Sequence, residues 1–174
     1  MNETIQIINQ RKSCRKYQDV KLSTDEVSTI LHAGLQAPSS MNRQQVIITA
    51  ITNKDIINEL TKEIAKALNK SEKYSCFYHA PCIVIVSGPK DYSALFTDGS
   101  CILQNMFLAA TSLQIGSCWI NQLKGIEDIP AIRKILTTCH IPENHNVCGS
   151  ASFGYPDGDI TPKEKDNNRI QVID

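Results

Sequence analysis

The chain has 174 residues, with 18 Lys and Arg against 18 Asp and Glu, so its formal net charge at pH 7 is zero. This length suits a single well-buried domain, which we expect to span residues 1–174. Because no basic excess is present to follow a phosphate backbone or an anionic lipid surface, neither nucleic acid nor a membrane is an expected partner.

The amino-terminal residues and the cysteines bear on where the protein works. Residues 1–10 contain neither a basic leader nor an apolar run of the length that a signal peptide or a membrane span needs. The seven cysteines form no Cys-x-x-Cys pair, which argues against a disulfide framework and suits a reducing compartment. We therefore expect a cytoplasmic protein.

The first third of the chain contains a basic segment, a helix and a polar turn. The basic segment, residues 11–17, reads Arg-Lys-Ser-Cys-Arg-Lys-Tyr. Ser23 and Glu26 then form a capping box, in which the serine caps the first turn of a helix and the glutamate bonds back. The apolar residues that follow on one face at helical spacing are Val27, Ile30, Leu31 and Leu35. Pro38 ends this helix and leads into the turn at residues 39–42.

The middle of the chain predicts a strand, a helix and a second strand. Residues 46–52 and 82–86 are rich in β-branched side chains, and both strands look covered on both faces. Between them, apolar residues at helical spacing mark an amphipathic helix whose charged face meets solvent. These residues are Ile56, Ile57, Leu60, Ile64 and Leu68.

The second half of the chain predicts a central helix and two further strands. Apolar residues cover most of the helix at residues 97–113, so this helix should be heavily buried, and Gly116 can supply the left-handed turn that ends it. Strands at residues 117–120 and 147–153 flank a helix at residues 130–136 that carries proline in its first turn. The pattern predicts an α+β protein with a mixed central sheet flanked by helices.

Four potential zinc ligands lie close together near the carboxyl end. They are Cys139, His140, His145 and Cys148. Structural zinc sites usually present their ligands in tight knuckles, whereas Cys148 falls in an apolar strand and is expected to point into the core. A zinc-stabilised interaction module is therefore only a minor alternative.

The carboxyl-terminal tail is polar and then becomes apolar again. Residues 157–169 are too polar to build a core of their own, but the last residues return to an apolar pattern and should dock on a surface. The apolar residues are Ile170, Val172 and Ile173, and the basic residues of the tail are Lys163, Lys165 and Arg169. By itself, the basic set reads as a solvated charge run.

Five segments of the chain, taken in order, resemble the nitroreductase family of flavin enzymes. They are residues 11–17, Ala-Pro-Ser-Ser-Met-Asn-Arg-Gln at 37–44, residues 98–113, Gly-Ser-Cys-Trp-Ile at 116–120, and Phe-Gly-Tyr-Pro at 153–156 before the basic tail. The resemblance covers nearly the whole chain. It implies the nitroreductase-like fold and an intertwined homodimer, in which the tail at residues 157–174 docks on the partner subunit.

The resemblance implies that the basic segment binds flavin mononucleotide, FMN. Arg11, Lys12 and Ser13 would hold the phosphate, since guanidinium and ammonium groups beside a hydroxyl form charge-assisted hydrogen bonds. Arg15 would approach the pyrimidine edge of the flavin, where a cation stabilises the negative charge of the reduced ring. Without the resemblance, these cations could be no more than the solvated end of the first helix.

The resemblance assigns the polar turn to the flavin of the other subunit. The turn residues that it implicates are Pro38, Ser39, Ser40, Asn42 and Gln44. The proline and serines would lie along that flavin, and the two amide side chains would supply hydrogen bonds. By sequence alone, the same residues are ordinary choices for a helix stop and turn. The chain reads Gln-Gln-Val at residues 44–46 where the family often has Gln-Pro-Trp, so the wall built by that tryptophan would be missing or replaced.

Two further segments complete the implied site. Cys118, Trp119 and Ile120 would place backbone against the flavin nitrogen that accepts hydride, where an N–H donor stabilises the protonated nitrogen. No catalysis is assigned to the Cys118 thiol, and the segment could equally be a buried strand after a glycine cap. Arg169, or failing that Lys165, would complete the phosphate site.

The function implied by the resemblance is that of an NAD(P)H-dependent FMN oxidoreductase. Hydride would pass from reduced nicotinamide cofactor to an acceptor such as a nitroaromatic or a quinone by a ping-pong mechanism. Because the flavin carries the chemistry, no catalytic side chain is expected. The alternative is a flavin-binding storage or sensor protein without turnover. The sequence holds no second nucleotide fingerprint that would separate NADH from NADPH.

Overall fold

A computed structural model describes residues 2–160 and 165–173 of the chain. The α-helices within these residues are α1 Glu3–Gln10, α2 Thr24–Leu35, α3 Lys54–Ala67, α4 Leu95–Ser112 and α5 Pro130–Thr138. The strands are β1 Ile47–Ile51, β2 Cys82–Pro89, β3 Gly116–Ile120 and β4 His145–Gly154. Short 3-10 turns lie at Ser40–Asn42 and Asn167–Arg169. The predicted order of helices and strands is confirmed, and the fold is α+β.

The four strands form one sheet in the order β1-β2-β4-β3, and every neighbouring pair is antiparallel. The predicted mixed sheet is therefore corrected: among the described residues, the parallel pairing is the isolated bridge between Ser13 and Ser117. The physical reason lies in the connection between β1 and β2. Ile51 at the end of β1 pairs with Ile83 at the start of β2, so the connection through α3 and residues 68–81 brings the chain back to the end where β1 finished, and β2 runs in the opposite direction.

The sheet separates two apolar cores. One core packs β2 and β4 against α2 and α4, and the other packs the sheet against α3 and α5. The predicted burial of α4 is confirmed, since Leu103, Met106 and Ala110 are fully buried. The expectation that both faces of the first strand are covered is wrong in part: β1 is an edge strand, and within it only Ile51 is fully buried.

The start of α2 follows from a local sequence signal. The Ser23 hydroxyl accepts from the Glu26 backbone N–H at 3.2 Å, and the Ser23 N–H donates to the Glu26 carboxylate at 2.8 Å, so the predicted capping box is present. Ile30 is buried on the inner face, but Leu35 in the last turn is 61% exposed. The predicted apolar face is therefore buried only in part.

The end of α4 differs from the prediction. Gln114, with φ of 59°, takes the left-handed position, whereas Gly116 is the first residue of β3. Gly116 is needed for close approach instead: a Cβ atom there would lie 2.7 Å from the Cβ of Cys14. The glycine thus lets residues 11–17 pack directly beside β3.

The alternative of a zinc site has no support from the packing. Cys148 lies in the core beside α4, as predicted, while Cys139 at the end of α5 packs against the core on the other face of the sheet. His140 is exposed, and His145 contacts Ser87. Within residues 2–160 and 165–173, no group of three or more potential ligands is arranged to hold a metal ion. No helix in this part of the chain is long and apolar enough to cross a membrane.

Candidate functional site

The basic segment lies along the outer edge of β3 in an extended conformation. The Cys14 N–H donates to the Ser117 carbonyl at 2.8 Å, and Tyr17 pairs with Pro156. Cys14 is buried in this segment, whereas its neighbours Arg15 and Lys16 are exposed.

Arg11, Ser13 and Arg15 all interact with the Cys118 side chain. Burial raises the pKa of the Cys118 thiol, and the positive charge of Arg15, the Ser13 hydroxyl and the charge of Arg11 act in the opposite direction. Arg15 also interacts with the Tyr78 side chain, a contact that the sequence gave no reason to expect. The structure therefore brings together three of the four predicted residues of the basic segment.

Lys12 is the member of the basic segment that lies apart. Its ammonium group reaches the Ile160 carbonyl at 3.5 Å, and the neighbouring Lys16 pairs with Asp157 at 2.8 Å. These two cations therefore contact the start of the tail. The role predicted for Lys12 beside Arg11 and Ser13 has less support than theirs.

Within the described residues, the two arginines that interact with Cys118 lack acidic partners. In the described part of the chain, neither Arg11 nor Arg15 forms an ion pair with a carboxylate. Two guanidinium groups without an acidic partner suit a ligand that carries its own negative charge.

A buried hydroxyl without a partner lies at the same edge. Ser117 is 1% exposed, and its Oγ atom makes no hydrogen bond within residues 2–160 and 165–173. Such an orphaned group costs free energy unless a ligand or water satisfies it. Ser117 stands opposite Ser13 in the parallel bridge. The residues at this edge thus fit a phosphate-bearing cofactor, and the Ser117 hydroxyl is a candidate partner for it that the predicted set did not include.

The predicted residues of β3 differ in what they offer. Cys118 and Ile120 point into the core that faces α3 and α5, whereas Trp119 is 38% exposed and packs on Phe107 with ring centroids 6.2 Å apart. The Ser117 carbonyl faces the outer edge, where it accepts from Cys14. The backbone N–H of Trp119, two residues further on, faces the same edge, because backbone groups alternate along a strand. This N–H is the backbone donor that β3 presents at the site.

The polar turn is hydrogen-bonded to α4 and within itself. The Ser40 N–H donates to both carboxylate oxygens of Asp98, at 3.2 and 3.1 Å, and the Gln44 N–H donates to the Ser39 hydroxyl at 3.1 Å. Asn42 is exposed and accepts from the Gln44 amide at 2.8 Å. No hydrogen bond in the described residues joins this turn to the basic segment.

Residues in and beside the turn differ in their exposure to solvent. Pro38 is exposed, and Met41 is 82% exposed. Val46, at the position where the family often has tryptophan, is buried in the core beside α4. It therefore supplies core packing in place of the expected wall.

The basic residues predicted from the tail, Arg169 and Lys165, make no described contact with the basic segment. Arg169 lies in the short 3-10 turn and is exposed, as is Lys165, and neither forms an ion pair among the residues that the structure describes. Ile170, Val172 and Ile173 are 75%, 80% and 93% exposed. Lys163 lies outside the described residues. Within one chain, no described contact brings Arg169 or Lys165 to the predicted phosphate site.

Fold and site together define an α+β protein with a cation-lined edge suited to a phosphate-bearing ligand. The chain belongs to the nitroreductase family, since the model of that family matches residues 8–155. The resemblance drawn from the sequence is thereby confirmed.

Solved structures and a curated relative support the same assignment. A nitroreductase from Bacteroides fragilis with bound FMN is 37% identical, covers both chains completely and superposes with a TM-score of 0.95. A nitroreductase from Desulfitobacterium hafniense, also with bound FMN, is 26% identical with complete coverage and a TM-score of 0.91. A protein of Archaeoglobus fulgidus assigned as an NADH dehydrogenase/NAD(P)H nitroreductase is 31% identical over 160 residues, which cover 90% of this chain and 87% of that relative.

Proposed function

We propose that the protein is an FMN-dependent oxidoreductase that takes its electrons from a reduced nicotinamide cofactor. The observation that carries the proposal is the edge of β3, where Arg11 and Arg15 lack carboxylate partners in the described chain and the buried Ser117 hydroxyl lacks a hydrogen-bond partner there. The two FMN-bound nitroreductases share this fold over their whole length, and the curated relative is named for NAD(P)H.

The basic segment would hold the polar end of the cofactor. Arg11 and Ser13 would bind the phosphate, and the Ser117 hydroxyl would gain the partner that it lacks within the described chain. Lys12 contacts the tail at the Ile160 carbonyl. It would therefore assist in binding the phosphate only where the tail is in place. Arg15 would lie at the pyrimidine edge, where its charge favours the reduced form of the cofactor.

The remaining site residues imply a second subunit. Because the turn that carries Ser39, Ser40 and Asn42 is exposed and distinct from the basic segment, one chain cannot be expected to use both for the same flavin. In the proposed homodimer, this turn would reach the partner's flavin, with Pro38 and Gln44 beside it. The exposed tail would bring Arg169 or Lys165 to the phosphate. Two equivalent sites would then lie at the subunit interface.

The protein's share of the chemistry is binding, orientation and electrostatic tuning. Bound FMN would supply the redox step, accepting hydride from NADH or NADPH and passing electrons to the acceptor. The Trp119 backbone N–H at the open edge would orient the ring, with Cys118 and Ile120 fixing the strand through the core. Donor and acceptor would use the same space in turn, which is a ping-pong scheme. The proposed acceptors are nitroaromatics and quinones.

Steady-state kinetics under anaerobic conditions test this proposal. Purified protein with FMN should oxidise NADH or NADPH in the presence of a quinone or a nitroaromatic. Double-reciprocal plots at several acceptor concentrations should give parallel lines. Intersecting lines would contradict the ping-pong scheme. Flavin that binds tightly but is never reduced by either nicotinamide cofactor would favour a storage or sensor protein instead.

A further inference from the structure

The turn at residues 38–44 is held in a backbone conformation that its side chains do not favour. Met41, Asn42 and Gln44 have φ of 54°, 55° and 52°, which lies in the left-handed region that residues other than glycine seldom adopt. Asparagine tolerates this region better than methionine or glutamine does. Such residues persist where the surrounding structure holds them, so the turn needs an anchor.

A buried carboxylate supplies that anchor. Asp98 lies in the first turn of α4 and is 5% exposed. Both of its carboxylate oxygens accept from the Ser40 N–H, at 3.2 and 3.1 Å, and the Tyr92 hydroxyl donates to Oδ2 at 2.6 Å. Because Ser40 begins the 3-10 turn, these bonds tie the left-handed residues to the first turn of the central helix.

Packing does not explain an aspartate at this position. The inner face of α4 is otherwise apolar, and a buried carboxylate is costly unless its oxygens accept hydrogen bonds. Asp98 forms no ion pair with a cation in residues 2–160 and 165–173. Its stabilisation comes from the two donors and from the amino-terminal end of the helix. The hydrogen bond to Asp98 also raises the pKa of Tyr92, which keeps that hydroxyl protonated as a donor.

We propose that Asp98, supported by Tyr92, is the positioning residue that holds the cofactor-binding turn in its left-handed conformation before FMN arrives. This inference rests on the proposed function, which assigns Ser39, Asn42 and Gln44 to a flavin. A pre-formed turn loses less conformational freedom on binding, so the anchor increases cofactor affinity without touching the cofactor. In the proposed homodimer, the Asp98 of one subunit would act on the site of the other.

The test compares the anchor with a matched pair elsewhere in the chain. The Tyr155 hydroxyl donates to the Glu26 carboxylate at 2.7 and 2.9 Å, also in the first turn of a helix, but remote from the turn in sequence. The test variants are Asp98→Asn and Tyr92→Phe, and the controls are Glu26→Gln and Tyr155→Phe. Amide hydrogen exchange of apoprotein peptides that cover residues 39–45 measures how firmly the turn is held. Titration with FMN measures the effect on cofactor affinity.

Asp98→Asn should increase exchange at residues 39–45 by about tenfold and weaken FMN binding by about tenfold, because a charge-assisted hydrogen bond is lost. Tyr92→Phe should shift both quantities in the same direction by about threefold, and it carries the test if Asp98→Asn does not fold. The control variants should match wild type in the exchange at residues 39–45 and in FMN affinity. Wild-type exchange and affinity in the Asp98 and Tyr92 variants would overturn the inference and leave the proposed function standing. A wild-type protein that binds no FMN would overturn the proposed function and the cofactor part of this inference together.

Discussion

Arg15 is the residue at which the proposed role and a purely structural role differ most. Its guanidinium group contacts Tyr78 and has no carboxylate partner in the described chain, so its charge is free to act on a ligand. A charge-assisted contact is worth roughly 1.5–3 kcal/mol. Since about 30 mV corresponds to 1.4 kcal/mol for two electrons, Arg15→Ala should lower the reduction potential of bound FMN by several tens of millivolts. The potential is measured by equilibration with a reference dye.

Two further variants test the interpretation of Arg15. Arg15→Lys should recover part of the potential, because it keeps the charge and loses the planar fork. Arg11→Ala should mainly weaken FMN binding, as a phosphate contact is remote from the redox ring. An unchanged potential in Arg15→Ala would contradict the placement of Arg15 at the redox ring of the flavin.

A variant at Ser117 distinguishes an effect on ligand binding from an effect on folding. Because its buried hydroxyl has no partner within the described residues, Ser117→Ala should leave the stability of the apoprotein unchanged or slightly higher. FMN affinity should fall about fivefold, the effect of one neutral hydrogen bond of about 1 kcal/mol. Ser150→Ala is the matched control, since Ser150 is also buried but donates to the Ile120 carbonyl at 2.9 Å. It should destabilise the apoprotein by about 1 kcal/mol. Urea unfolding and FMN titration of both variants provide the comparison, and equal behaviour would remove Ser117 from the site.

At the scale of elements, the amino-terminal end of α2 makes stability depend on pH. The Ser23 hydroxyl, then Tyr155 and the Ser23 N–H, lower the pKa of Glu26 below its ordinary value of 4.5. A depressed pKa in the folded state stabilises the protein above pH 4.5, and this stabilisation is lost as pH falls through the folded value. Glu26→Gln should therefore reduce the free energy of unfolding at pH 7, by about 0.5 kcal/mol after allowance for solvent screening.

The pH series provides the control for this prediction. Once the pH falls below the folded pKa of Glu26, the carboxyl group is protonated and resembles glutamine, so the difference between Glu26→Gln and wild type should shrink as the pH is lowered from 7. Urea denaturation across a series of acidic pH values measures this change. A deficit that does not change with pH would show that the charge of Glu26 plays no part.

Elements with local causes were predictable from the sequence. The capping box at Ser23 and Glu26 and the apolar surface of α4 depend on residues within a turn or two of each other, so their patterns were sufficient. The direction of β2 depends on how residues 68–81 return the chain, which no periodicity records. Gly116 was misread for the same reason: its small size serves a contact with Cys14, about a hundred positions away in sequence.

The site was predictable only where the family motifs are contiguous. The sequence indicated Arg11, Lys12, Ser13 and Arg15 as a group, and three of them interact with Cys118, whereas Lys12 contacts the Ile160 carbonyl instead. It gave no signal for Tyr78. Asp98 carried one weak signal, a carboxylate in a helix whose buried face is otherwise apolar, but its partner Ser40 is distant in the chain.

At the scale of the whole molecule, the tail is expected to join dimerisation to cofactor binding. Ile170, Val172 and Ile173 are largely exposed within one chain, which is unfavourable unless a partner covers them. Deleting residues 162–174 should therefore weaken the dimer and FMN binding together. Sedimentation and FMN titration on the same samples measure the two effects.

Point variants divide the two contributions of the tail. Replacing the three apolar residues by serine should mainly weaken the dimer. Arg169→Gln should mainly weaken FMN binding, and the loss should shrink at high salt, because salt screens an exposed charge. A truncated chain that remains dimeric and binds FMN as wild type does would contradict the proposed docking of the tail.

The central claim is that this chain binds FMN at the edge of β3, and titration of apoprotein with FMN tests it most directly. The protein is first verified as folded by circular dichroism, and binding is followed by flavin fluorescence and by the visible absorption spectrum. The account predicts saturation at one FMN per chain with a dissociation constant in the micromolar range or below, and weaker binding in Arg11→Ala. Folded protein that binds no FMN at micromolar concentrations, or that binds equally well without Arg11, would contradict it.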